Sequence, residues 1–384
     1  MAGGTPAVPG KSLTLNGELL MTSSEDNTSI RAGEDLDLVR LDSYLRKHLS
    51  EQFFELDPGV ELKIRQFPGG HSNLTYLIRY GNREFVLRRP PMGPVAPTAH
   101  DMPREYKLLS AINPHYPLAP KPVLVCEDTS VIGVPFYLME RRRGLIVRSK
   151  VPEEIGESLA LRLRLSEGVV DTLIALHAVD IRSSGIVQIG KPAGFVTRQV
   201  RGWADRWQRS KTGELAEMDQ VINWLADRIP AENDADATIV HNDFKLDNIM
   251  LDPDDPTRVV AVLDWEMCTV GDPLVDVGLF LSYWTMKGTD SGSDQNRSLR
   301  AVTNGPGWMT REEIIKRYEA RTGRDLSRIV FYETFARFKV AVVIQQIYFR
   351  YVRGQTHDER FRNLDGLVRE LSREALTLAE QTRI

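Results

Sequence analysis

Two short motifs constrain this chain more than anything else in it: HNDFKLDN at residues 241–248 and LDWE at residues 263–266. Each is fed by an apolar run, ATIV before the first and RVVAV before the second, with NIMLD between them. Runs of this length, bounded by turn-formers such as Asp252, Asp254 and Asp255, read as short strands, the last two folded into a hairpin. Asn248 and Asp264, sixteen residues apart, then lie on opposite arms of that hairpin. Local chain geometry alone gathers a lysine, an asparagine and two aspartates into one small region.

Phosphoryl transfer calls for such a set, because a protein must place a hydroxyl, hold magnesium between phosphate oxygens and neutralise developing charge. Asp243 is the candidate to accept the hydroxyl's hydrogen bond or proton. Asn248 offers an amide oxygen and Asp264 a carboxylate as metal ligands, and Lys245 a point charge for the transferred group. Either motif alone is weak, since Asp and Asn also make ordinary turns and Asp264 alone could cap a helix. Their order, downstream of a matching nucleotide-binding half, is the stronger signal.

That upstream half begins at QFPGGHSNLTYLI. Gly69 and Gly70 stand between two strand-like runs, where a backbone without Cβ can approach phosphates, and Ser72 and Asn73 add donors. Arg88 shares a strand face with Val86 in FVLR and can reach α and β phosphates. Glu105, seventeen residues on in the helix PREYKLLSAI, is the candidate to hold Arg88 in place; the plain alternative is a solvated ion pair of little worth. FYLME leads out of the last sheet strand, so backbone groups at Met139 and Glu140 are candidates for an adenine edge.

The rest of the chain fits around these points. Leu38, Leu41, Leu45 and Leu49 share one helical face, predicting a helix over about 36–53. ELKIRQF, NLTYLIRY, REFVLRR, PVLVCED and VPFYLME read as strands, with Gly81-Asn82 as a turn and one helix over 103–112. Helical patterns then cover 155–178, 197–209 and 215–228. Thr310 with Glu313 forms a capping box, and Gly323 stands where that helix should stop. The expected division is a flexible tail over 1–35, a nucleotide-binding lobe over 36–139 and a catalytic and acceptor-binding lobe over 140–384. The fold class is α+β: a bilobal protein-kinase-like fold, with an antiparallel sheet in the N-terminal lobe and a larger, mainly helical C-terminal lobe.

Composition sets outer limits. A chain of 384 residues with 42% hydrophobic and 27% charged residues is ordinary for a soluble globular protein. A net charge of -4 provides no overall basic field, so neither nucleic acid nor a membrane surface is an expected partner. Cys126 and Cys268 have no metal spacing, which with the lack of a signal-like leader predicts a reducing, cytoplasmic location.

The ordered set PGGHSN, VLR, Glu105, FYLME, ALH, HNDFKLDN, LDWE and GDPLVDVG resembles the aminoglycoside phosphotransferase family of protein-kinase-like small-molecule kinases, over roughly residues 36–384. Within it, the chain is most similar to bacterial proteins assigned as aminoglycoside kinases and to kinase-like domains fused to some acyl-CoA dehydrogenases. The resemblance implies ATP or GTP with Mg2+, Asp243 as catalytic base, and Asn248 and Asp264 as metal ligands. It also implies that His241, His177, Asp272 and Asp276 are scaffold. Arg88 departs from the usual strand lysine, and guanidinium holds phosphate as a planar fork. No G-x-G-x-x-G and no A-P-E anchor are present, which argues against a protein kinase.

The acceptor is a small-molecule hydroxyl whose identity stays open. Residues 141–211 carry fourteen Lys or Arg against seven Asp or Glu, which suits an anionic hydroxy compound such as a hydroxyacyl-CoA, or else forms a solvated helix face. Trp203, Trp207 and Trp224 are expected in the core, and Trp203 with Trp207 at helical spacing could line an apolar pocket. The resemblance points first to an aminoglycoside acceptor, which acidic Asp290 and Asp294 keep open, with the anionic hydroxy compound as the alternative. A catalytically inactive nucleotide-binding regulator is the reading from a different class.

Overall fold

The structure, a computed structural model, describes residues 27–31, 33–52, 56–67, 73–91, 100–286, 301–356 and 358–381. Gly69, Gly70, Ser72, Asp290, Asp294 and most of the predicted tail lie outside the described residues. The described residues fall into two compact units: one from the segments up to Tyr106 and Lys121–Arg141, the other from Lys107–Pro120, Arg142–Lys287 and Ala301–Ile384.

The first unit is a five-stranded antiparallel sheet with a helix on it. The strands β1 (Leu62–Gln66), β2 (Leu74–Tyr80), β3 (Arg83–Arg89), β4 (Pro122–Cys126) and β5 (Phe136–Glu140) stand in the order β1-β2-β3-β5-β4. β2 and β3 pair from Leu74↔Arg89 to Tyr80↔Arg83, so two residues close the hairpin. Gly81 there has φ +55, the positive value a type II′ turn needs at its first central position. Helix α1 (Leu38–Gln52) buries Leu41, Leu45 and Leu49 completely, in one cluster with Tyr76, Ile78, Leu87, Phe136 and Leu138. Each such leucine contributes about 1.5–3 kcal/mol of transfer free energy. Helix α2 (Met102–Ile112) follows the sheet strand that carries Arg88.

The second unit is mainly helical. Helices α3 (Leu159–His177), α4 (Phe195–Ser210), α5 (Ala216–Asp227), α6 (Leu274–Trp284), α7 (Arg311–Thr322), α8 (Ile329–Val352) and α9 (Leu364–Glu380) surround two small sheets. In one, β7 (Thr238–Val240) pairs with β10 (Thr269–Gly271); in the other, β8 (Ile249–Leu251) lies between β6 (Leu145–Ile146) and β9 (Val259–Val262). Thr310 and Glu313 form the reciprocal capping box of α7, and Gly323 ends it at φ +67. Trp203, Trp207 and Trp224 are buried. Among the described residues no helix is long and apolar enough to cross a membrane.

β6 and β10 have no counterpart in the sequence reading. The long α8 is anchored by its crossing with α6. An ideal Cβ at Gly278 of α6 would lie 2.5 Å from the Tyr332 backbone carbon of α8, and backbone cannot step aside as a flexible side chain can. Gly278→Ala is therefore expected to destabilise the second unit by about 1–3 kcal/mol or more, read as a lower melting temperature.

Candidate functional site

The hairpin predicted from the sequence is β8–β9, with Ile249 opposite Val262. One residue further out, the Leu263 N–H donates to the Asn248 carbonyl at 2.8 Å. That bond ties the end of HNDFKLDN to the start of LDWE, bringing Asn248 and Asp264 to the same edge. Two residues there are non-glycine with left-handed backbone, Asn242 at φ +65 and Asp264 at φ +63. Such conformations persist only where surrounding bonds over-determine them.

Those bonds are present. Asp276, on the first turn of α6 and wholly buried, accepts from the backbone N–H of His241 at 2.6 Å and of Asn242 at 2.7 Å. It faces His177 Nε2 at 3.3 Å, and His177 Nδ1 meets the Tyr318 hydroxyl at 2.8 Å. The Asn242 side-chain amide donates to the Met267 carbonyl at 3.0 Å, and the Lys339 ammonium reaches the Asn242 carbonyl at 2.7 Å. Burial pushes the His241 imidazole below its ordinary pKa, against the pull of Asp276, Asp243 and Asp264. Neutral His241 then accepts from the Asp243 N–H at Nδ1 and donates from Nε2 to the Leu263 carbonyl.

The Asp243 carboxylate emerges from this frame held on one side. Asn248 Nδ2 donates to Oδ2 at 2.9 Å and also to the Asp243 carbonyl, and Lys245 Nζ lies 3.2 Å from the same Oδ2. Oδ1 receives no hydrogen bond from the described residues, and the side chain is 22% exposed. Burial opposes the Lys245 charge, but Asp243 first, then Tyr283, Asp247 and Asp264, raise its pKa above the ordinary value. Lys245 is thus a permanent cation beside a carboxylate with one open oxygen, an arrangement suited to receive a proton and to meet an anion.

The same bonds test the metal site. Asn248 spends its Nδ2 on Asp243, and its Oδ1 has no donor among the described residues. Among the described residues no group of three His, Cys, Asp or Glu gathers in metal-holding geometry. The donor types of Asn248 and Asp264, an amide oxygen and a carboxylate, are those a hard cation would take, and such an ion would need further oxygens from phosphate and water.

In the first unit, Arg88 Nη1 lies 3.5 Å from Glu105 Oε1, and both side chains are largely buried. Glu105 Oε1 also accepts from the Tyr137 hydroxyl at 2.8 Å. Asn73, buried, bonds the His100 ring at 2.7 Å through its Oδ1. The Glu140 N–H donates to the Lys121 carbonyl at 2.9 Å, and Met139 pairs with Val86 inside the sheet. Any base edge at FYLME must therefore use groups other than that amide.

A model of the phosphotransferase enzyme family matches residues 63–309, well over half of the chain. The chain belongs to that family. It is 29% identical to a Ralstonia eutropha protein assigned as an aminoglycoside phosphotransferase, with a TM-score of 0.75 over 90% of this chain and 99% of that one. It shares its fold, at 17% identity and a TM-score of 0.53 over 88% and 99%, with the aminoglycoside phosphotransferase APH(4)-Ia in ternary complex with AMP-PNP and hygromycin B. Among curated proteins, it is 35% identical to mouse acyl-CoA dehydrogenase family member 11 over 94% of this chain and 45% of that protein. It is 34% identical to mouse family member 10 over 77% of this chain and 27% of that protein. The chain spans less than half the length of these curated relatives.

Two residues that the sequence did not flag stand beside this loop. Tyr283, near the end of α6, lies under Lys245 with its ring centroid 5.1 Å from Nζ. Burial raises its phenol to about 12, as do Asp243 and Asp247 against Lys245, so it stays protonated, a cation–π floor for the lysine. Lys339 comes from α8, ninety-seven residues beyond Asn242. The basic stretch from Arg141, by contrast, is partly structural: Arg141 pairs with Glu84, Arg142 donates to the Pro117 carbonyl, and Arg162 to those of Gly156 and Pro306.

Proposed function

We propose that this family member is a magnesium-requiring kinase that transfers a phosphoryl group from ATP, or alternatively GTP, to a hydroxyl of a small molecule. The observation that carries the reading is the Asp243 carboxylate, doubly held on Oδ2 and open on Oδ1. In this reading Oδ1 takes the acceptor's hydroxyl proton, Lys245 faces the transferred group, and Arg88, braced by Glu105, meets the nucleotide phosphates. Residues 36–139 supply the nucleotide contacts, with Gly69, Gly70, Ser72, Asn73, Met139 and Glu140 among them, and 140–384 the chemistry and the acceptor. Asn248 and Asp264 would hold magnesium, which when bound neutralises charge between phosphate oxygens.

The acceptor we favour is a hydroxylated, CoA-linked acyl compound. Its support is the similarity, along 94% of the chain, to proteins named for acyl-CoA dehydrogenases; the fold shared with aminoglycoside kinases supports the alternative. ADP release should be measured with ATP and magnesium against panels of hydroxyacyl-CoAs and aminoglycosides. Turnover with the first panel, falling by about 100-fold or more in Asp264→Asn, is the expected result. Turnover only with aminoglycosides would replace the acceptor, and nucleotide binding without turnover on any panel would favour the inactive regulator.

A further inference from the structure

Three charged side chains are buried on α8: Glu333, Arg337 and Lys339. Two end on an opposite charge, Glu333 on Arg311 and Arg337 on Glu374. Lys339, only 5% exposed, reaches no carboxylate among the described residues. Its Nζ donates to the Asn242 carbonyl and lies 5.6 Å from the centre of the Trp203 ring. A buried ammonium with one carbonyl acceptor and an aromatic face is costly to keep.

The groups around it set the sign of that cost. Burial pushes Lys339 down to about 8, and Lys245 and Arg206 push the same way, while Asp243 and Asp276 oppose. Between about 8 and the ordinary 10.5 the unfolded chain binds more protons than the folded one, so stability rises with pH across that window. At neutral pH this lysine therefore lowers stability, and its value lies in what it holds.

It holds one side of a single peptide plane. The carbonyl of Asn242 and the N–H of Asp243 belong to the same peptide group. Lys339 bonds the carbonyl at 2.7 Å and His241 Nδ1 accepts from the N–H at 3.3 Å. Asn242 sits in left-handed backbone, and Lys339 is the one donor its carbonyl has among the described residues. Building on the phosphotransfer reading above, we propose that Lys339 is a positioning residue that fixes the peptide plane leading into Asp243 and thereby aims its carboxylate.

Lys339→Met removes the ammonium and keeps the length of the side chain. It is expected to lower kcat by about 10- to 100-fold with the nucleotide KM within about twofold of wild type. Lys339→Arg keeps a charge that does not titrate near neutral pH. It should retain part of kcat and hold it at high pH, where wild-type kcat declines above about pH 8 as the lysine loses its proton. An unchanged kcat in the Met variant, or a wild-type rate with no alkaline decline, overturns the proposal; if the Met variant does not fold, the wild-type and Arg profiles decide it. Hydrogen exchange over residues 239–245 needs no acceptor: faster exchange in the Met variant supports the proposal and unchanged exchange overturns it. Faster exchange in a protein whose wild type turns over no acceptor would instead count against phosphotransfer alone.

Discussion

Asp243→Asn is expected to cut kcat by about 10²- to 10⁴-fold while the nucleotide KM and the melting temperature stay close to wild type. The substitution is isosteric. The asparagine oxygen can still accept from Asn248 Nδ2 and Lys245, which both reach Oδ2 in the native side chain. The outward atom becomes an NH2, which cannot take a proton from a hydroxyl. Because the side chain is part exposed and its frame is backbone-held, folding has little to lose. Steady-state kinetics with the acceptor identified by the screen, alongside a thermal melt, check both halves. A kcat within about threefold of wild type would remove Asp243 from the chemistry.

The parts of the fold legible in the sequence are those written in local period or local chemistry. Leu41, Leu45 and Leu49 announce α1 by spacing, and Thr310, Glu313 and Gly323 mark both ends of α7. The hairpin joining Asn248 to Asp264 is legible because its two strands and turn are contiguous. What escapes is long-range or very short. Asp276 lies thirty-five residues beyond His241, and nothing around it names the backbone amides it receives. Lys339 sits in the stretch FARFKVAVV two residues after Arg337, and its partner is a carbonyl, which leaves no trace in side-chain identity. Over residues 141–211 a charge count shows only part of the picture for the same reason: arginines such as Arg142 and Arg162 end on backbone carbonyls, acceptors that a count of acidic residues does not include.

Asp276→Ala should produce the largest loss of stability in the second unit, about 3–5 kcal/mol. The carboxylate is wholly buried, and its removal leaves the N–H groups of His241 and Asn242 and the His177 ring without their acceptor. Water cannot replace it without opening the contact between α6 and the loop. Against a typical total of about 5–15 kcal/mol, such a loss should lower the melting temperature by roughly 10 °C. Asp276→Asn should fall between the two, because one amide oxygen can still accept while its NH2 meets donors. The left-handed turn at Asn242 is over-determined from three sides: Asp276 on its N–H, Met267 on its side chain and Lys339 on its carbonyl. Loosening one should let the turn relax, so Asp276→Asn is expected to lose kcat as well as stability, whereas Asp243→Asn loses kcat alone. A melt and a rate measured on both variants test that separation. An Asp276→Ala protein as stable as wild type would mean that the loop holds its conformation without the aspartate, and that the strain at Asn242 is supported from elsewhere.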